Sequence, residues 1–132
     1  MTKVERYRDL ANRLFHERDL SAIDRLFAEH YEGEYAGTPV HGRAAFRASV
    51  EALLAALGDT RYEVLETTES GDLLWAYWRC TGTHQGPLFG VEPTNTPVVI
   101  EGITLNRFEG DQIVWGRVKW DRLALVEQLR PL

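Results

Sequence analysis

The chain has one cysteine, one methionine and five prolines in 132 residues. Cys80 has no internal partner, so no disulfide framework can support the fold. It lies in an apolar, strand-like run and reads as a buried free thiol of a reducing compartment rather than a nucleophile. No stretch approaches the roughly 20 apolar residues of a membrane span, which excludes a membrane partner. No basic-then-apolar leader opens the chain, and a cytoplasmic location is the expectation. A basic excess is missing as well: 15 Lys and Arg stand against 20 Asp and Glu, a formal charge of −5. Binding to a phosphate backbone needs clustered cations that displace counterions, so nucleic acid is excluded as a partner.

Several chemical signatures are also missing. There is no Walker loop and no glycine pattern of the dinucleotide-binding type between a strand and a helix. No nucleophile elbow is present. His16, His30, His41 and His84 are too scattered for metal-ligand spacing, and no cysteine pair supports them. Neither a metal nor a cofactor is expected.

What the chain does have is the composition of an ordinary globular domain, 44% apolar and 27% charged. Its length suits one domain over residues 1–132, large enough to bury a core of its own. Val4, Tyr7, Leu10, Leu14 and Phe15 recur at helical spacing and predict a first helix to about Glu17. Asp19 is placed to cap a short second helix carrying Ile23, Leu26 and Phe27. Residues 31–39 are turn-rich, with room for one short strand. A third helix is expected from Arg43 to Leu57, with Gly58 as its left-handed terminator.

Beyond Gly58 the periodicity becomes that of strands. Thr60–Thr68 and Asp72–His84 read as a hairpin. Gln85–Pro97 holds three of the prolines and reads as a loop. Val98–Phe108 and Gln112–Trp120 are two further strands joined by a tight turn at Glu109-Gly110-Asp111. A last helix runs from Asp121 to Leu129. Three helices followed by a four-stranded antiparallel meander give an α+β class, a strongly curved sheet wrapped over the helices around one pocket.

Asp121 follows Trp120 where the last strand meets the last helix, and position alone leaves two roles open. It can cap the helix, its carboxylate accepting from backbone N–H groups two or three residues on. It can instead face a partly dry pocket beside a large aromatic and carry a proton. By strand alternation Trp115, Arg117, Lys119 and Asp121 share one face, and Val114, Gly116, Val118 and Trp120 the other.

Specific runs add a resemblance. Thr81-Gly82-Thr83-His84-Gln85-Gly86, Pro93-Thr94, Gly102 to Phe108, Glu109-Gly110-Asp111-Gln112-Ile113, Trp120-Asp121 and Gln128-Leu129 are similar to SnoaL-like polyketide cyclases. These are cone-shaped α+β barrels of the nuclear-transport-factor-2-like superfamily. The resemblance implies a cofactor-independent enzyme that closes a ring in a small apolar, polyketide-derived carbonyl substrate by an intramolecular aldol step, with Asp121 as general acid/base. It also implies a homodimer or higher homo-oligomer through the outer sheet face. Trp120, Arg117, Glu34, Thr104, Trp78 and His84 are the candidate substrate-binding residues. Family cyclases carry a strong polar side chain where this chain has Gly102-Ile103-Thr104, a departure that bears on the reaction. Epoxide hydrolysis, isomerisation or dehydration on the same scaffold is the alternative chemistry, and a non-catalytic dimeric ligand-binding module the alternative class.

Overall fold

The computed structural model describes residues 1–129; the last three residues of the expected domain lie outside that range. Helix α1 (Lys3–Ala11) starts in a reciprocal cap. Thr2 Oγ1 accepts the Glu5 N–H at 3.0 Å and the Glu5 carboxylate accepts the Thr2 N–H at 3.3 Å. The chain continues in a wider π-helical turn, Asn12–His16. Asp19 accepts the Ser21 N–H at 3.0 Å at the head of α2 (Ser21–Leu26). Phe27 does not extend that helix, because it opens a strand.

Strands β1 (Phe27–Tyr35) and β2 (Thr38–His41) form a hairpin that turns at Ala36 and Gly37, both at positive φ. Helix α3 (Arg43–Ala56) follows, then β3 (Leu57–Ser70), β4 (Leu73–His84), β5 (Pro97–Glu109), β6 (Gln112–Trp120) and α4 (Arg122–Leu129). The sheet has six strands in the order β2-β1-β6-β5-β4-β3. It is curved and not closed into a barrel, with β2 and β3 at its two ends. The expected α+β class and four-stranded antiparallel meander are found, as β3-β4-β5-β6, and β1 and β2 extend the meander into a mixed sheet. Strand β1 runs parallel to β6, in register from Glu32↔Trp115 to Tyr35↔Val118. That pairing joins segments more than 80 residues apart, and the glycine-interrupted run of β1 gives it no clean alternation to read.

The ending expected for α3 is also corrected. Its last carbonyls are capped from outside the helix: the Arg18 guanidinium donates to Leu54 O and Leu57 O, each at 3.0 Å, and the Gln85 and Gly86 N–H groups donate to Ala56 O. The positive φ falls on Asp59, not Gly58. Gly58 is closely packed instead, with the Gln85 side-chain amide lying where a Cβ would stand.

The concave face of the sheet packs on the helices. Leu74, Ala76, Trp78 and Cys80 of β4 alternate inward, as do Val98, Ile100, Thr104 and Asn106 of β5 and Ile113 and Val118 of β6. They meet Tyr7, Leu10 and Leu14 from the first helical segment and Phe46, Val50 and Leu53 from α3 in one core. Gly102 continues the inward row of β5 without a side chain, and the Trp78 indole occupies the vacated space. A Cβ on Gly102 would lie 2.5 Å from Trp78 Cζ2 and 2.6 Å from Lys119 O. Gly102→Ala is therefore expected to lower stability by about 1–3 kcal/mol through overpacking, with an altered Trp78 emission spectrum. Urea unfolding followed by fluorescence checks this, and an unchanged midpoint would show that the strands spread there at no cost.

Candidate functional site

Between the sheet and the helices lies a cavity of about 60 Å³. Aromatic rings form much of its wall. Phe27 and Phe46 stack with centroids 4.4 Å apart, and Tyr35 meets Phe46 and Trp120 edge-on. On the opposite side Phe15 stacks on Tyr62 at 4.3 Å, and Tyr62 on Trp78 at 5.3 Å. An outer chamber of about 190 Å³ lies beside the cavity, lined in part by Thr38, Ser49, Leu88, Phe89 and Arg122. Tyr35, Leu53 and Trp120 line both spaces and form the waist between them.

The polar groups of the cavity are few and lie on named elements. Tyr7 Oη of α1 lies 2.6 Å from Tyr62 Oη of β3, buried. Trp78 Nε1–H of β4 donates to Thr104 Oγ1 of β5 at 2.9 Å. Asn106 follows two residues after Thr104, on the same face. The Trp120 indole N–H is shielded from solvent and has no hydrogen-bond partner among the described residues. No carboxylate or imidazole lines the cavity among the described residues. Burial dominates the ionisation of what does line it. It pushes the Tyr7, Tyr35 and Tyr62 hydroxyls above the ordinary phenol range and the Cys80 thiol up to about 12. At neutral pH the cavity is uncharged, with hydroxyl, indole and amide donors set in an apolar wall.

The sequence-derived candidates divide into two groups. Trp78, Thr104 and Trp120 line the cavity together. Arg117, Glu34, Asp121 and His84 do not. Arg117 lies on the outer sheet face, its guanidinium 4.4 Å from the Trp115 ring centroid. Glu34 pairs with Lys119, and that hydrogen bond holds its carboxyl below the usual range. Asp121 is exposed at the head of α4, where its carboxylate accepts the Ala124 N–H at 2.9 Å. Strand alternation ends at Trp120, so the face shared by Trp115, Arg117 and Lys119 does not extend to Asp121. His84 is fully buried and anchors the loop between β4 and β5. Its Nδ1 accepts the Thr94 N–H at 3.2 Å, and its backbone bonds Thr96 and Asn95.

Tyr7, Tyr35, Tyr62 and Asn106 line the cavity and Arg122 the outer chamber, and sequence reasoning did not single them out. Tyr7 sits in the apolar stripe of the first helix, where a tyrosine reads as packing. The available signal was its hydroxyl, a polar tip carried on an otherwise aliphatic row. Asn106 shares the inward parity of Thr104 and was legible in the same way.

Among the described residues no group of three or more His, Cys, Asp or Glu is placed to hold a metal ion. Nor is any helix long and apolar enough to cross a membrane. Comparison with known proteins gives a family match over nearly the whole chain: a model described as SnoaL-like polyketide cyclase covers residues 4–129. A search of curated proteins returned no match. Among solved structures, TsrD from Streptomyces laurentii superposes with a TM-score of 0.87 at 18% identity, covering 100% of this chain and 99% of its own. AclR from Streptomyces galilaeus, provisionally described as a hydroxylase, gives 0.84 at 23% identity over 97% of both chains. A protein from Jannaschia sp. CCS1, provisionally described as a SnoaL-like polyketide cyclase, gives 0.83 at 20% identity over 99% of this chain and 98% of its own. A Catenulispora acidiphila protein with a ketosteroid isomerase-like fold gives 0.79 at 18% identity over 97% of this chain and 94% of its own. At these identities the structures establish the fold, which is of the nuclear-transport-factor-2-like kind.

The buried thiol yields a pH prediction. Cys80 keeps its proton in the folded chain to about 12, against an ordinary 9.0. From pH 9 upward the unfolded chain therefore holds fewer protons than the folded one. Stability is full below pH 9 and falls as pH rises toward 12. Cys80→Ala should flatten that part of the alkaline melting-temperature profile. Alkylation by iodoacetamide at pH 8 should need unfolding, and rapid labelling of the native chain would contradict the burial.

Proposed function

The chain belongs to the SnoaL-like polyketide cyclase family, and we propose that a small, largely apolar, polyketide-type carbonyl compound occupies the outer chamber and reaches through the waist into the aromatic cavity, where its ring closure is promoted. The observation that carries this reading is the cavity wall: stacked aromatic rings with a few uncharged donors converging on one space. Two contributions follow from that geometry. Confinement holds the two reacting ends of a flexible substrate together, which removes much of the entropic part of the barrier. Donors in a dry site polarise the acceptor carbonyl and support the charge that develops on its oxygen. In the proposed step the substrate's enol carbon attacks that carbonyl carbon. The new C–C bond forms, the C=O π pair moves to oxygen, and the enol hydroxyl proton ends on that oxygen. No external base is consumed, in keeping with a cavity of neutral groups.

A second reading, with Asp121 as the general acid/base, requires its carboxylate to leave the α4 cap and turn past Trp120. The cap geometry favours the first. Asp121→Asn preserves a capping acceptor and removes the acid/base function, whereas Asp121→Ala removes both. The expected outcome is unchanged stability and turnover within about threefold for Asn, and a loss of about 1 kcal/mol in stability for Ala. Turnover is read as the absorbance change when an aryl-terminated poly-β-keto ester cyclises. A collapse of turnover in a stably folded Asn variant would make Asp121 the proton carrier.

Occupancy of the cavity is tested separately. Polycyclic aromatic ketones are expected to quench the emission of Trp78 and Trp120 and to raise the melting temperature. Leu53→Trp, which fills the waist, should abolish both effects. We further propose that a second copy of the chain covers the outer sheet face, where Trp75, Val99 and Ile103 are exposed. Light scattering should give twice the 15.1 kDa chain mass, and Ile103→Glu should give the monomer.

A further inference from the structure

Arg122 is the one charged side chain among the described residues that line the cavity or the outer chamber. Two contacts set its guanidinium. It lies over the Phe89 ring, 4.3 Å from the centroid, and Nη1 donates to Ala36 O at 3.4 Å. Phe89 is itself presented by a tight turn. Leu88 and Val91 exchange N–H···O bonds of 3.1 and 2.9 Å, and Phe89 and Gly90 between them both have positive φ. The other guanidinium donors have no acceptor among the described residues. Nor does a carboxylate pair with Arg122 there, whereas Arg6, Arg43 and Arg107 each pair with an aspartate. Acids are not scarce, since the chain has 20 against 15 Lys and Arg. The neighbouring Asp121 is turned to the Ala124 N–H at the head of α4. A cation therefore stands over an aromatic ring at the wall of an apolar chamber, with donors to spare and no counter-charge.

We propose that Arg122 is a carboxylate-binding residue of the outer chamber, and that the compound seated there is an acid: a free carboxylate at its outer end and an apolar body that passes the waist. The ligand class follows from charge and shape. One guanidinium with open donors matches a planar, singly charged oxyanion, whereas a phosphate dianion would need a second cation that the chamber lacks. An ester or ketone in its place would leave the cation without counter-charge. The pair also sets direction. The dry inner cavity cannot take an ionised group, so the carboxylate stays with Arg122 and the neutral end goes through the waist. Phe89 acts as a positioning residue for the guanidinium. This assignment rests on the proposed occupancy of the chamber and names the outer end of the compound.

The test pairs 4-fluorobenzoate with 4-fluoroacetophenone, similar in shape and differing in charge, with affinities read by fluorine NMR titration of the full chain at pH 7. In the wild type both should bind, the benzoate more tightly. In Arg122→Gln the acetophenone affinity should persist, and the ratio of benzoate to acetophenone affinity should fall about tenfold, the scale of one charge-assisted hydrogen bond. Arg61→Gln removes an exposed cation that does not line the chamber and should leave the ratio unchanged. An equal fall there would trace the effect to net charge and overturn the proposal. An unchanged ratio in Arg122→Gln, or a wild type that binds only the acetophenone, overturns it and leaves the chamber reading intact. Failure of both probes to bind the wild type overturns the chamber reading and the proposal together. If Arg122→Gln loses both probes, Arg122→Lys, which keeps the charge, decides: a retained preference for the benzoate supports the proposal, and a lost one overturns it.

Discussion

Gly33 of β1 and Gly116 of β6 face one another across the parallel pairing, and the Tyr31 ring lies in the space that two side chains would otherwise fill. A Cβ on Gly116 would approach both Tyr31 Oη and Asn106 Oδ1 at 2.6 Å, and one on Gly33 would meet Tyr31 as well. This close approach lets β1 lie flat against β6 instead of leaving the sheet after α2. The aromatic wall depends on it: with β1 in place, Phe27, Tyr31 and Tyr35 are carried to the same side as Phe46 of α3. A sheet of four strands would have left that side open to water. The cavity exists because two glycines permit a pairing that nothing local in the chain enforces.

Much of the architecture could be read from the chain because it is written in local periodicity. The helical stripe of α1, the face of α3 and the alternation along β4, β5 and β6 each bury one side of one element, and each pattern fits within a dozen residues. The β1–β2 hairpin was harder to read because Gly33 and the Ala36-Gly37 turn interrupt it, and its strongest partner is far along the chain. The site divides along the same line. Trp78, Thr104 and Trp120 were legible from inward parity and size. Tyr7 and Tyr62 were not, since their hydroxyls meet in a contact between the first helix and the third strand that spacing within either element cannot show. Arg117 and Glu34 were candidates through the family resemblance, yet their charge keeps them on the outer face, paired with Trp115 and Lys119.

That separation of charge from cavity has a chemical consequence. An ionised carboxylate or guanidinium inside would need a partner and a hydration shell that about 60 Å³ cannot supply. The polar groups that remain are those that stay neutral when dry, and burial reinforces their neutrality by raising the phenol and thiol ionisation ranges. Such a site discriminates by shape and by where it places single protons. The low dielectric makes each correctly placed donor more effective and each unmatched one more costly. The Trp120 indole N–H, without a partner among the described residues, is in this sense a standing cost that a ligand oxygen at the waist would relieve.

Trp120 also joins the cavity to the rest of the chain. It ends β6, and the next residue caps α4, so the position of the waist is set partly by how that helix is held. Gln128 holds it: its side-chain amide accepts from Val99 N–H and donates to Val99 O, each at 2.9 Å, and Leu125 and Leu129 are buried beneath. On the other side the loop after β4 brings Phe89 to 5.8 Å from the Trp120 ring, with the Arg122 guanidinium over Phe89 at 4.3 Å. Phe89 has φ of 49°, a backbone conformation costly for a bulky residue, and it is held there by these contacts. The strand end, the helix cap and the loop thus bear on a single indole. A change at Asp121 reaches the cavity through the seating of Trp120 even though its carboxylate lies outside, so loss of function in an alanine variant alone would not distinguish a proton carrier from a cap. The asparagine variant separates the two roles, because it keeps the helix end and hence the waist in place while removing the only group at that position able to exchange a proton.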